Sequence, residues 1–127
     1  MQLVQERPDY QYVLRSAGGG GAQVNDQILT HSFILAPDTL IENWNAANAA
    51  TMTPEHLQPL LALSPELIVL GTGSIQIFPS PVVMAACLSQ GIGLEAMNNP
   101  AAARTYLILA SENRKVVAGF LFDGERR

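Results

Sequence analysis

Glu66-Leu-Ile-Val-Leu-Gly-Thr-Gly-Ser-Ile-Gln-Ile-Phe-Pro-Ser-Pro81 is the stretch whose reading decides the fold. Leu67 to Leu70 is a continuous apolar run, the pattern of a strand covered on both faces. Gly71 and Gly73 follow, where a glycine turn permits backbone angles and close approaches that side chains forbid. Ser80-Pro81 is a helix start, a hydroxyl N-cap with proline in the first turn. The stretch therefore predicts strand, glycine turn, short apolar excursion and helix.

Working downstream, the helix from Pro81 to about Gln90 should end at Gly91 in a left-handed cap. Ile92 to Met97 reads as a short strand. Asn98-Asn99-Pro100 repeats the cap-plus-proline start, and a helix over 100–112 would bury Ala102, Tyr106, Leu109 and Ala110. Asn113 caps it, and Val116 to Phe122 is a closing strand in which Gly119 allows a neighbour to approach. Strand, helix, strand, helix, strand is the βαβαβ pattern of a parallel sheet with right-handed crossovers.

Upstream, Thr53-Pro54 starts a helix carrying Leu57, Leu60 and Leu61 on one face and kept short by Pro59. Residues 45–52 are small and polar, a connection. Residues 10–44 read as an antiparallel meander. It has a first strand over 10–15 with Tyr10, Tyr12 and Leu14 on one face, a glycine-rich link at 17–22, and a hairpin turn at Val24-Asn25-Asp26-Gln27. A long alternating strand follows over 28–36, with His31 on its apolar face, and a short one over 39–44. The expected architecture is α/β: a single three-layer domain with a mixed central sheet, a C-terminal βαβαβ unit and an N-terminal antiparallel β-hairpin layer. Its boundaries are 10–122, between a flexible N-terminus at 1–9 and a tail at 123–127.

The chain has 127 residues, 48% apolar and 14% charged, with a net charge of −4. That is enough for one well-filled core. No Lys or Arg occurs between Arg15 and Arg104, whereas Asp26, Asp38, Glu42, Glu55, Glu66 and Glu95 fall in that window. Such a charge pattern offers no footprint for nucleic acid. No apolar run is long enough for a membrane span or a secretory signal, so no direct membrane insertion and a cytoplasmic location are expected. Cys87 is the only cysteine and sits in an apolar context, where a thiol behaves as a small buried hydrophobe.

Candidate chemistry is sparse. The four glycines at 18–21 lack the Gly-Lys-Ser/Thr of a phosphate loop. Gly71-Thr72-Gly73-Ser74 follows a strand, the right place for a phosphate, but lacks dinucleotide spacing and a nearby cation. His31, His56 and Cys87 are not spaced as metal ligands, and Ser74 and Ser80 lack a nucleophile elbow. No catalytic residue, metal or cofactor is assigned. The candidate anion or partner cleft comprises Gly71, Gly73, Ser74, Glu95, Arg104 and Thr105. Arg104 stands out in a cation-poor chain, and an ion pair with Glu95 or Glu112 is its simplest role.

The hairpin Val-Asn-Asp-Gln, Pro37-Asp38 ahead of Trp44, Leu-Ile-Val-Leu-Gly-Thr-Gly and Met97-Asn-Asn-Pro-Ala-Ala-Ala-Arg-Thr-Tyr106 together resemble the Mth-type domain of unknown function. That family takes its name from a methanogenic archaeon and includes a mitochondrial assembly factor for respiratory complex I and an adipogenesis-associated protein. The resemblance spans about residues 10–122 and is most specific over 97–106. It implies a three-layer α/β fold and no established catalytic activity, the characterised relatives acting through protein partners. Leu107 departs from the Asn usual after Arg-Thr-Tyr. The reading that follows is a non-enzymatic protein-binding domain assisting assembly or maturation of a membrane complex, with homo-oligomers compatible. The alternative is a small-molecule or anion-binding protein, with or without enzymatic activity, using the cleft at Gly71–Ser74.

Overall fold

The computed structural model describes residues 10–122; the expectations for 1–9 and 123–127 lie outside them. The chain runs β1 (Leu14–Ala17), β2 (Ala22–Val24), β3 (Gln27–Leu29), β4 (Phe33–Ala36), β5 (Thr39–Ile41), a 3-10 turn (Ala49–Thr51), α1 (Pro54–Leu61), β6 (Leu67–Gly71), α2 (Pro81–Leu88), β7 (Gly93–Met97), α3 (Asn99–Ser111) and β8 (Val116–Phe120). A mixed five-stranded sheet has the order β5-β4-β8-β6-β7, and a separate antiparallel sheet has the order β1-β2-β3. Strand β6 pairs in parallel with both β7 and β8, while β4 pairs antiparallel with β5 and β8.

The βαβαβ unit explains the layers. From β6 the chain steps to β7 on one side, then crosses back over β6 to β8 on the other. Two right-handed crossovers in opposite directions place their helices on opposite faces. Accordingly Val83 and Cys87 of α2 join Leu57, Leu60 and Leu61 of α1, with Ile68, Leu70 and Val117, in one core. Ala102, Tyr106 and Ala110 of α3 join Val69, Ala118 and Phe120 in the other, which Leu14, Val24 and Leu29 of the small sheet complete. Burial on both sides is why β6 and β8 are apolar without alternation.

The downstream elements follow the sequence reading closely. Gly91 takes φ 73° after α2 and Asn113 takes φ 61° after α3, the left-handed caps expected of them. Asn98 caps α3 by accepting from Ala101 N–H at 2.9 Å. Ser80 stands in extended conformation ahead of its proline without that side-chain bond, while Thr53 starts α1 with a capping box in which its N–H donates to His56 Nδ1 at 3.0 Å. Leu109 is only half-buried, and Ala103 takes its place in the stripe. Gly119 is needed where expected: a Cβ there would lie 2.7 Å from the Trp44 indole.

The N-terminal half differs. Residues 28–36 are not one strand but two, β3 and β4, in different sheets. The break falls at Thr30–Ser32, where the buried Ser32 hydroxyl donates to Phe122 O at 3.3 Å and accepts from Phe122 N–H at 2.9 Å. His31 is exposed at this corner instead of lying on an apolar face. The single meander is therefore a three-stranded sheet plus a hairpin that extends the central sheet. The first strand begins at Leu14, because Tyr12 N–H donates to Pro37 O at 3.1 Å outside any ladder. Residues 45–52 are more than a polar link: Asn48 caps the 3-10 turn, and Ala46, Ala49 and Met52 are buried.

Candidate functional site

Three loops meet beyond the carboxyl ends of β6 and β8, and one side chain ties them. Asn99, at the start of α3, is fully buried. Its Oδ1 accepts from Gly73 N–H at 3.0 Å, and its Nδ2 donates to Gly18 O at 2.9 Å and Leu121 O at 3.2 Å. The carboxamide thereby joins the glycine loop between β1 and β2, the loop after β6 and the chain leaving β8. Gly71 makes room for it: a Cβ there would collide with Asn99 Oδ1 and lie 2.8 Å from the Phe120 ring.

The loop after β6 is pinned by Thr72. Its hydroxyl donates to Ile75 O at 2.6 Å and accepts from Ile77 N–H at 3.1 Å, while its backbone N–H reaches Met97 O at 2.8 Å. Gly73 has φ 101°, a conformation strained for any side chain. The result is a cavity of about 530 Å³ between the glycine loop and the loop after β6, floored by Leu121 and Phe122. Thr30, Asn48 and Ser74 supply polar side chains to its wall, and no lining residue is ionisable. This location is where open α/β sheets hold ligands. The chemistry available is neutral hydrogen bonding over an apolar floor, without a side-chain acid or base.

Of the residues singled out in the sequence, Gly73 and Ser74 line this cavity, and Gly71 lies behind it in the strand end. Glu95, Arg104 and Thr105 are not among its lining. Glu95 is exposed on β7, the outer strand of the sheet. Arg104 is exposed on α3, and the Thr105 hydroxyl sits 3.4 Å from Met97 Sδ. The expected ion pair of Arg104 with Glu95 or Glu112 is not formed. The one ion pair among the described residues is Arg114 Nε to Glu66 Oε1 at 3.0 Å. Asn99 and Asn48 were not legible as site residues, though one signal existed: Asn98 already serves as the cap, so a second Asn before proline was free for other work.

A second surface begins at the rim of the cavity. From Leu67 to Leu94 the chain contains no charged residue. Within it Ile75, Phe78, Val82 and Leu88 are exposed by 65%, 69%, 63% and 67%. Helix α2 is apolar nearly all round, yet only Val83 and Cys87 are fully buried. A helix of that composition ordinarily has both faces covered. Burial raises the Cys87 thiol pKa.

The model of the family described as "protein of unknown function (DUF498/DUF598)" matches residues 14–121. A Francisella tularensis protein named "13 kDa major membrane protein" is 30% identical over 87 residues, covering 68% of this chain and 71% of that one. The mouse NADH dehydrogenase [ubiquinone] 1 alpha subcomplex assembly factor 3 is 30% identical over 90 residues; the match covers 69% of this chain but only 48% of the mouse protein. The solution structure of a Xanthomonas campestris protein superposes with a TM-score of 0.85 at 54% identity, covering 100% of this chain and 96% of that one. A Bordetella pertussis protein described as an Mth938-like domain superposes with a TM-score of 0.81 at 29% identity, covering 98% and 94%. The resemblance drawn from residues 97–106 and their companions is thus to the right family.

Proposed function

The chain belongs to the DUF498/DUF598 family of proteins of unknown function, and from that premise we propose that it is a non-enzymatic docking domain that acts on a membrane complex during its assembly. The observation that carries this reading is the exposed apolar surface of Ile75, Phe78, Val82 and Leu88 on a segment without charge. Large exposed apolar patches on a folded domain mark interaction sites. Its partner is a protein surface equally poor in charge, of the sort a subunit presents before it is built in. The mouse relative, named as an assembly factor, supports the reading. Among the described residues no helix is long and apolar enough to cross a membrane. In this reading the domain works from the cytoplasm and reaches the membrane through its partner.

The test compares the wild type with the double variant Phe78→Asp/Val82→Asp, each tagged and captured from membrane extracts of the native host. Both side chains are exposed, so the variant should keep its melting temperature. The wild type should enrich subunits of one membrane complex by about tenfold or more over the variant, the loss expected when two apolar anchors are removed. Equal capture by both proteins, or no membrane-complex subunit with either, would overturn the proposal.

A further inference from the structure

The cavity beside this surface carries a separate inference. The backbone N–H groups of Gly19, Gly20, Ser74 and Ile75, and the Asn48 carboxamide nitrogen, have no hydrogen-bond acceptor among the described residues. The hydroxyls of Thr30 and Ser74 are likewise uncommitted there. By contrast Thr72 and Gly73 of the lining, and Asn99 behind it, are engaged in holding the loops. Gly19, Gly20, Thr30, Ser74 and Ile75 are exposed and Asn48 is half-buried, so water meets their donors until a ligand at the cavity wall replaces it. Donors of this kind call for a ligand with oxygen acceptors.

Charge decides which acceptors. No Lys, Arg or His lines the cavity, and the surrounding sequence from 16 to 103 is free of Lys and Arg but not of acids. An anion entering here would shed water against neutral dipoles alone, within the field of a protein of net charge −4. A neutral carbonyl meets the same donors without that cost. The floor of Leu121, Phe122 and Ile77 accepts an apolar substituent. A volume of about 530 Å³ suits a small molecule or one or two residues of a peptide.

We propose that this cavity binds an uncharged amide or carbonyl group bearing an apolar substituent. The group comes either from a free small molecule or from an extended peptide segment; the chemistry is the same. The inference does not depend on the docking surface on α2.

Nuclear magnetic resonance of ¹⁵N-labelled protein tests it, with N-acetyl-leucinamide and 4-methylpentanoate as probes, the same isobutyl group borne on neutral amides against a carboxylate alone. The amide should move the resonances of Gly19, Gly20, Ser74 and Ile75 saturably, and the carboxylate should bind about tenfold more weakly or worse. Gly20→Leu should abolish the response at an unchanged melting temperature, because Gly20 lines the cavity and a Cβ there meets nothing within 4 Å, so that a leucine is tolerated at the cavity wall. Ser74→Leu serves the same purpose from the opposite wall should the first variant misfold. The blocked tripeptide acetyl-Gly-Leu-Gly-amide separates the sources. Binding about tenfold tighter than the leucinamide assigns a peptide segment, and equal or weaker binding assigns a small molecule. No saturable response to the leucinamide, a carboxylate that binds as well, or a response that survives in both variants would overturn the inference. Since capture of a membrane complex is measured on Phe78 and Val82, the two readings can fail independently.

Discussion

At the scale of single residues, Asn99 has the largest consequence. Its side chain makes three hydrogen bonds from a fully buried position, to segments that are 81, 26 and 22 residues away. Asn99→Ala leaves Gly73 N–H and two carbonyls without that partner, so the unfolding free energy should fall by about 3 kcal/mol. Urea denaturation measures this, and a loss under about 1 kcal/mol would show that water replaces the carboxamide freely. Tyr106 poses the opposite case, a buried hydroxyl with no hydrogen-bond partner among the described residues. Burial, and then Tyr10 and Asp38, raise its pKa well above the ordinary 10.0. A raised folded-state value means the fold holds the proton more tightly than the unfolded chain does. That contribution is complete below about pH 10 and is lost as the pH climbs through the folded-state value. Tyr106→Phe should therefore keep neutral-pH stability within about 1 kcal/mol, or raise it, and flatten the alkaline decline. A variant that declines as steeply as the wild type between pH 10 and 12 would contradict this assignment.

At the scale of elements, α2 separates stability from binding. Val82 and Leu88 are exposed, so Val82→Lys and Leu88→Lys should each change stability by no more than about 0.5 kcal/mol while making the protein more soluble. A loss near 2 kcal/mol by thermal unfolding would mean these side chains belong to the core and not to an interface. The elements also show what a sequence can disclose. From Glu66 onward each strand and helix was legible, because glycine, asparagine and proline punctuate runs whose apolar pattern is unambiguous. The corner at Thr30–Ser32 was not, since alternation persists through it and its fixing contact is to Phe122, at the far end of the chain. The candidate site divides the same way. Gly73 and Ser74 belong to the local turn, whereas Glu95 was grouped with them by a predicted strand end, and Arg104 with Thr105 by a lone cation on the first turns of a helix. The glycine loop at 18–21 read as a plain link because its partner Asn99 lies beyond any local window.

At the scale of the whole molecule, electrostatics contribute little. The Arg114–Glu66 pair is exposed on both sides, by 46% and 59%. Glu66→Gln should lower stability by less than about 1 kcal/mol, and that difference should shrink in high salt. A larger loss in chemical denaturation, insensitive to salt, would assign the carboxylate a structural role. What holds the molecule is its sheet, and the sheet's order has a consequence for synthesis. Strand β8, made after the other seven described strands, is the strand that joins β4 to β6. Until it emerges from the ribosome, the β4–β5 hairpin and the β6–β7 pair have no strand in common. A nascent chain paused before Val116 therefore leaves unpaired the edges of β4 and β6 that β8 covers, with both cores half-built. Once β8 docks, both edges close in one step. The five-stranded sheet should thus close only once β8 has been made, and not in instalments.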